Sequence, residues 1–148
     1  MIKQPKKPIA DYDIILFDGV CNLCNGAVDF IIKHDQKDQF KLAALQDDVG
    51  KSLLTRHSIP TSYIDSIILI TKNGLLYKSD AALAIASKLS GLWQGFGIFR
   101  ILPKSIRDNL YDWIAKNRYK WFGKENTCRL PTPAESAKFL KIEDLKDN

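Results

Sequence analysis

Cysteine is scarce in this sequence, with three in 148 residues. That number is too small, and odd, for a disulfide-stapled secreted scaffold. Histidine is scarcer still, with His34 and His57 alone. A second Cys-x-x-Cys and a His-x-x-x-His are both missing, so local spacing supplies no complete zinc-finger ligand set. Long apolar runs are lacking too. The longest stretches, such as Ile67-Ile68-Leu69-Ile70, fall far short of a membrane span. The basic, proline-containing start from Met1 to Pro8 is not followed by an apolar run of signal-peptide length. These absences make the cytoplasm the expected compartment, with no stable membrane insertion. There a Cys-x-x-Cys pair is more often catalytic, redox-active or metal-binding than structural.

What is present is the composition of a folded globular chain, 45% hydrophobic and 26% charged. The length suits one domain. Residues 1–10 hold Lys3, Lys6, Lys7, Pro5 and Pro8 with little to bury, and are expected to form a flexible tail ahead of a single domain over 11–148. The net charge of +5 is scattered. Its one concentration, Lys116-Asn117-Arg118-Tyr119-Lys120-Trp121-Phe122-Gly123-Lys124, is expected to be a helix end with packed aromatics and a solvated basic face. No nucleic-acid partner is expected.

The chain shows no repeat and alternates between two periodicities. Ile14-Ile15-Leu16-Phe17, bounded by Asp13 and Asp18, is an unbroken apolar run of the kind that forms a strand buried on both faces. Asn22 to His34 has helical spacing, with Cys24, Ala27, Val28 and Ile31 on one side, Phe30 beside them, and Asn22, Gly26, Asp29 and Lys33 opposite. Phe40 to Ala44 is a second strand, and Asp47 to His57 a helix carrying Val49, Leu53 and Leu54. Ile67 to Ile70 and Leu75 to Tyr77, joined through Asn73-Gly74, form a hairpin. Ser79 is placed to cap a helix running through Leu83, Ile85, Ala86 and Leu89 to Gly91. The order predicts an α/β fold of the thioredoxin-like type, βαβα-ββα, with a parallel pair extended by an antiparallel hairpin.

Residues 92–140 are additional and are expected to be an integral helical extension that covers the sheet and shapes a pocket. The apolar, glycine-broken Leu92 to Phe99 leads into it. A helix after Pro103 has Ile106, Leu110, Trp113 and Ile114 on one stripe, with Phe96, Phe99 and Trp121 as further surface to bury. Thr132-Pro133-Ala134-Glu135 carries the signals of one more helix start.

Cys21-Asn22-Leu23-Cys24 concentrates the chemistry. Three residues apart across a helix start, two sulfurs can meet without opening the helix. Cys21 sits where unpaired N–H groups and the positive dipole end favour a thiolate. Cys24 lies a turn inside and is expected to be the more buried and the less reactive. That asymmetry suits two-step exchange, with Cys21 attacking a disulfide and Cys24 resolving the mixed disulfide. Spacing alone leaves redox, metal-binding and inert-thiol readings open, and the buried strand ahead of the pair favours redox. Asp18, at that strand's end, has two readings. It can accept a proton from Cys24 during resolution, or it can cap the turn through Gly19 to Cys21. Gly19 is expected to adopt a backbone shape that other residues resist. Cys128, beside Arg129, is a third thiol whose quiet structural role is favoured over a redox one. His34 and His57 fall near helix ends and receive no catalytic role.

Phe17-Asp18-Gly19-Val20 is also similar to the first motif of haloacid-dehalogenase-type phosphatases. That chemistry needs a second aspartate at position 20, which is valine, so this reading is excluded.

Asp18-Gly19-Val20-Cys21-Asn22-Leu23-Cys24 resembles the Asp-x-x-Cys-x-x-Cys pattern of the DCC family. Ser79-Asp80-Ala81-Ala82-Leu83, Tyr111-Asp112-Trp113, Asn117-Arg118-Tyr119 and Cys128-Arg129-Leu130-Pro131-Thr132-Pro133 are similar to further family segments. The resemblance covers about Asp13 to Leu140. It implies a thioredoxin-like thiol-disulfide oxidoreductase with Asp18, Cys21 and Cys24 as its functional set. The expected partner is a disulfide-containing protein or a small thiol, and no cofactor is expected beyond a redox-active Cys21–Cys24 disulfide. Unlike thioredoxin and glutaredoxin, the stretch Tyr63 to Ile67 ahead of the hairpin holds no proline. The missing cis bond weighs against general protein-disulfide reduction and toward the alternative, a metal- or partner-binding module built on the same cysteines and the Trp-rich extension.

Overall fold

A computed structural model of the chain describes residues 11–60, 62, 67–89, 95, 98, 101–124, 133 and 136–141. The elements run β1 (Asp13–Phe17), α1 (Asn22–His34), β2 (Phe40–Ala44), α2 (Asp48–Arg56), β3 (Ile68–Thr71), β4 (Gly74–Tyr77), α3 (Lys78–Lys88) and α4 (Lys104–Phe122), with a short 3-10 turn at Ser136–Lys138. The sheet order is β2-β1-β3-β4. β1 pairs with β2 in parallel and with β3 antiparallel, Ile15 standing between Leu42 and Leu69. This is the thioredoxin-like arrangement that the element order led us to expect.

Strand alternation divides the core into two layers. Ile15 and Phe17 face Val28 and Ile31 of α1, Ala81 and Ile85 of α3, and Phe139. Ile14 and Leu16 face the other way, onto Val49, Leu53 and Leu54 of α2. The all-apolar run of β1 is thus explained by helices on both sides. α2 approaches closely because residue 50 is glycine. A Cβ there would lie 2.0 Å from the Ala44 carbonyl oxygen.

Three local details differ from the sequence reading. In the hairpin, Gly74 pairs with Thr71, so the two-residue loop is Lys72-Asn73, and the glycine, at φ 133°, opens β4 instead of forming the turn. Ser79 does not cap α3. The helix starts two residues earlier, at Lys78 with Tyr77 as its N-cap, and the Ser79 hydroxyl donates to Asp108 of α4 at 2.5 Å. α3 ends at Lys88, and Gly91 lies outside the described residues.

α4 packs against α1 and α3, but of the stripe expected of it Ile114 alone faces inward. Ile106, Leu110 and Trp113 are each more than half exposed. The inward face is Tyr111, Ile114, Ala115 and Arg118, the i, i+3, i+4, i+7 set one step around the helix. Polar ties fix that rotation. The Tyr111 hydroxyl accepts the Ile67 N–H at 3.0 Å, and Asp80 of α3 pairs with Lys104 and Arg107 at 2.8 and 3.1 Å. Trp113 and Trp121 meet edge to face on the outer side, with centroids 5.0 Å apart. After α4, Phe139 and Leu140 are buried beside β2, with the Leu140 N–H on the Leu42 carbonyl at 2.9 Å. Phe96, Phe99 and the tail 1–10 lie outside the described residues, as does all of Thr132-Pro133-Ala134-Glu135 except Pro133.

Candidate active site

β1 delivers the chain into a tight turn, Asp18-Gly19-Val20, whose bonds are nearly all internal to the site. Asp18 Oδ1 accepts the Val20 N–H at 3.1 Å, and the Asp18 carbonyl oxygen accepts the Cys21 N–H at 3.4 Å. Gln46, two residues past β2, closes the turn from the side. Its Oε1 accepts the Gly19 N–H at 2.9 Å, and its Nε2 donates to Asp18 Oδ1 at 2.6 Å. Asn25 of α1 donates to the Gly19 carbonyl at 3.0 Å. The special backbone shape expected of Gly19 is not a positive φ. Among the described glycines, positive φ belongs to Gly74 and Gly123.

Cys21 is the N-cap of α1, and its Sγ accepts the Cys24 N–H at 3.5 Å. The acceptor sulfur thus lies at the helix N-terminus, beside the unpaired N–H groups of the first turn. One turn on, burial pushes the Cys24 thiol up to about 12, reinforced by its hydrogen bond to Cys21 and opposed by the charge of Arg118. Cys24 therefore holds its proton at neutral pH.

The exposures of the two thiols are the reverse of those expected. Cys21 is fully buried, at 0% exposed, and Cys24 is the partly open one. The cover comes from the end of α4. Cys21 bridges Lys124 in antiparallel fashion, the Asn22 N–H donates to the Gly123 carbonyl at 3.3 Å, and Asn22 Nδ2 donates to the Phe122 carbonyl at 2.8 Å. Gly123, at φ 88°, makes the reversal, and a Cβ on it would lie 2.9 Å from Asn22 Nδ2. Ala27 is exposed for a related reason, since its side of α1 borders a cavity.

Asp18 Oδ2 faces α4. It accepts Arg118 Nη2 at 3.1 Å and a short hydrogen bond from the Tyr119 hydroxyl. Asp18 and Arg118 are both buried. The guanidinium also lies over the Tyr119 ring, 4.8 Å from its centroid. Burial raises the Tyr119 hydroxyl above its ordinary value, and Asp18 adds to the shift. The sequence reading placed residues 116–124 in a solvated basic face. That holds for Lys116 and Lys120 and fails at Arg118. The signal available beforehand was spacing, since Arg118 falls seven residues after Tyr111 on the face that meets a buried carboxylate.

Between α1, α3 and α4 lies a cavity of about 320 Å³ with an almost wholly apolar lining. Cys24 forms part of its wall, with Leu23, Ala27, Ile67, Ala82 and Ile114, and Asp18 and Arg118 border it as an ion pair. His34 stands at the opposite end of α1, its Nδ1 2.8 Å from the Phe30 carbonyl, and His57 ends α2. Cys128 lies outside the described residues, as do residues 63–66. Among the described residues there is no trio of His, Cys, Asp or Glu that could hold a metal ion, and no helix long and apolar enough to cross a membrane.

Residues 15–124 match the model of the DCC1-like thiol-disulfide oxidoreductases, a span that holds the turn, both cysteines and Arg118. The chain belongs to that family. A relative from Bacillus subtilis (strain 168), "Uncharacterized protein YuxK", is 48% identical over 127 residues, covering 86% of this chain and 93% of the relative. A DCC family protein of Arabidopsis thaliana, described as chloroplastic, is 37% identical over 129 residues, covering 86% of this chain and 72% of its own length. No solved structure matches significantly. Membership in the DCC1-like family makes a thiol–disulfide redox role the general function of the chain.

Proposed function

We propose that this protein is a dithiol–disulfide oxidoreductase whose working pair is Cys21 and Cys24, passing through a mixed disulfide. The observation that carries the reading is the Cys24 N–H on Cys21 Sγ at the N-cap of α1, beside a Cys24 thiol pushed up to about 12. Once the Gly123–Lys124 segment that covers it moves aside, Cys21 attacks a partner disulfide as thiolate and displaces one partner sulfur. Cys24 then attacks Cys21 Sγ, gives its proton to a departing thiolate, and closes the Cys21–Cys24 disulfide. Two electrons pass to the partner, which leaves as one thiol and one thiolate that takes its proton from water.

Asp18 serves here as a positioning residue. Its carboxylate is bonded to Val20, Gln46, Arg118 and Tyr119, and among the described residues Cys24 is not one of its hydrogen-bond partners. These bonds hold the turn that aims Cys21 and dock the helix that covers it. Trapping tests the assignment. Cys24→Ser should accumulate a mixed disulfide at Cys21, and Cys21→Ser should abolish exchange. Accumulation at Cys24 in Cys21→Ser, with none at Cys21 in the converse variant, would reverse the roles.

A further inference from the structure

Among the described residues, two stretches of backbone that a docking peptide could use beside the dithiol are already engaged. The Ile67 N–H, at the entrance to β3, donates to the Tyr111 hydroxyl at 3.0 Å. On the other flank, Cys21 and Asn22 are bridged by the chain's own Gly123 and Lys124. A peptide recognised by adding a strand needs free main-chain donors and acceptors along such an edge. Among the described residues a cavity of about 320 Å³ stays accessible, lined in part by the exposed Ala27 and Ala82 and with Cys24 in its wall. That volume is at the small end of ligand sites.

The lining also restricts what can enter. Leu23, Ile31, Ile67 and Ile114 present hydrocarbon, and the charges at the border, Asp18 and Arg118, are 3.1 Å apart and engaged with each other. A ligand bearing carboxylates or an ammonium would lose hydration there and would have to compete with that ion pair. An uncharged alkyl chain would shed water at no such cost.

We infer that the redox partner at this site is a small, uncharged alkyl dithiol, or its disulfide, bound in the cavity between α1, α3 and α4. This inference rests on the dithiol–disulfide reading of Cys21 and Cys24. In the direction that reduces the protein, a ligand thiolate attacks one sulfur of the Cys21–Cys24 disulfide and releases the other protein sulfur as thiolate. The second ligand thiol, losing its proton, then attacks the ligand sulfur of the mixed disulfide. The ligand leaves as its intramolecular disulfide, and the protein gains two electrons and two protons. The reverse sequence oxidises the protein.

The test uses the oxidised full chain and three reductants, with reduction followed by thiol release. Dihydrolipoamide carries a dithiol on an uncharged alkyl tail, dithiothreitol is a dithiol without the tail, and glutathione is a charged monothiol. Dihydrolipoamide should react about tenfold faster than dithiothreitol, the equivalent of burying roughly two methylenes, and its rate should saturate with concentration. Glutathione should be the slowest. Ala27→Phe, at an exposed helix position where the fold should tolerate it, should erase the preference of dihydrolipoamide over dithiothreitol. Equal rates for the two dithiols, or a preference that survives Ala27→Phe, would overturn the substrate class while leaving the dithiol reading standing. Failure of every reductant, dithiothreitol included, to convert a Cys21–Cys24 disulfide would overturn both.

Discussion

Arg118 Nη2 lies 3.1 Å from Asp18 Oδ2, joining residues 100 apart in the chain, and both side chains are buried. The pair ties α4 to the turn that carries Cys21. Its removal should therefore be felt at both places. Arg118→Met leaves a buried carboxylate without its cation and should cost about 3–5 kcal/mol of stability in denaturant unfolding. Arg118 also draws the Cys24 thiol down, so in this variant Cys24 should begin to alkylate at a higher pH than in the parent. An unchanged alkylation profile would confine Arg118 to a packing role.

Asp18→Asn separates positioning from proton transfer. The amide oxygen can keep the Val20 bond, while the ion pair with Arg118 is lost. On the positioning account, stability and the coverage of Cys21 change together, and stopped-flow resolution of a mixed disulfide slows only in proportion. A resolution rate that collapses at little cost in stability would instead show Asp18 handling the proton of Cys24.

Cys24 should also make the reduced protein sensitive to alkali. Its thiol is raised from 9.0 to about 12 by burial first and by Cys21 next. Between those values the unfolded chain has released the proton and the folded chain still holds it, so stability falls as pH rises through this window and is unaffected below it. Reduced parent protein should lose more stability from pH 9 to 12 than Cys24→Ser does. Parallel curves would show that the thiol is not buried as described.

Gly50→Ala tests the packing of α2 on the sheet. With the Ala44 carbonyl oxygen 2.0 Å from the would-be Cβ, the helix must shift outward, at a cost of at least about 1–3 kcal/mol. Thermal unfolding reads this directly. A neutral substitution would mean that α2 sits further from β2.

Much of the core was legible because its signals are local. The run Ile14 to Phe17, the helical spacing from Asn22 to His34 and the existence of the β3–β4 hairpin each depend on neighbours within a few residues. The site was legible only in part. Cys21 at a helix start follows from local order, but its burial comes from Gly123 and Lys124, about a hundred residues away. Arg118 was hidden for the same reason. α4 was misread because it carries apolar residues almost all round, and its rotation is set by Tyr111, Arg107 and Arg118 finding polar partners, which periodicity does not report.

The extension beyond Gly91 bears on whether the chain is one cooperative unit. A chain ending there would lose Arg118 and the cover over Cys21, and should be molten or insoluble. In the full chain, fluorescence of Trp113 and Trp121 should change in the same transition as far-UV circular dichroism. A soluble, cooperatively folded truncation would make α4 a separate appendage.

The most direct test of the central claim is a redox titration of the full chain, with thiols mapped by peptide mass spectrometry at each potential. The account predicts a single two-electron transition in which Cys21 and Cys24 alone exchange dithiol for a mutual disulfide. Thiols at Cys21 and Cys24 that stay reduced across the range, or a disulfide linking either of them to Cys128 instead, would contradict it.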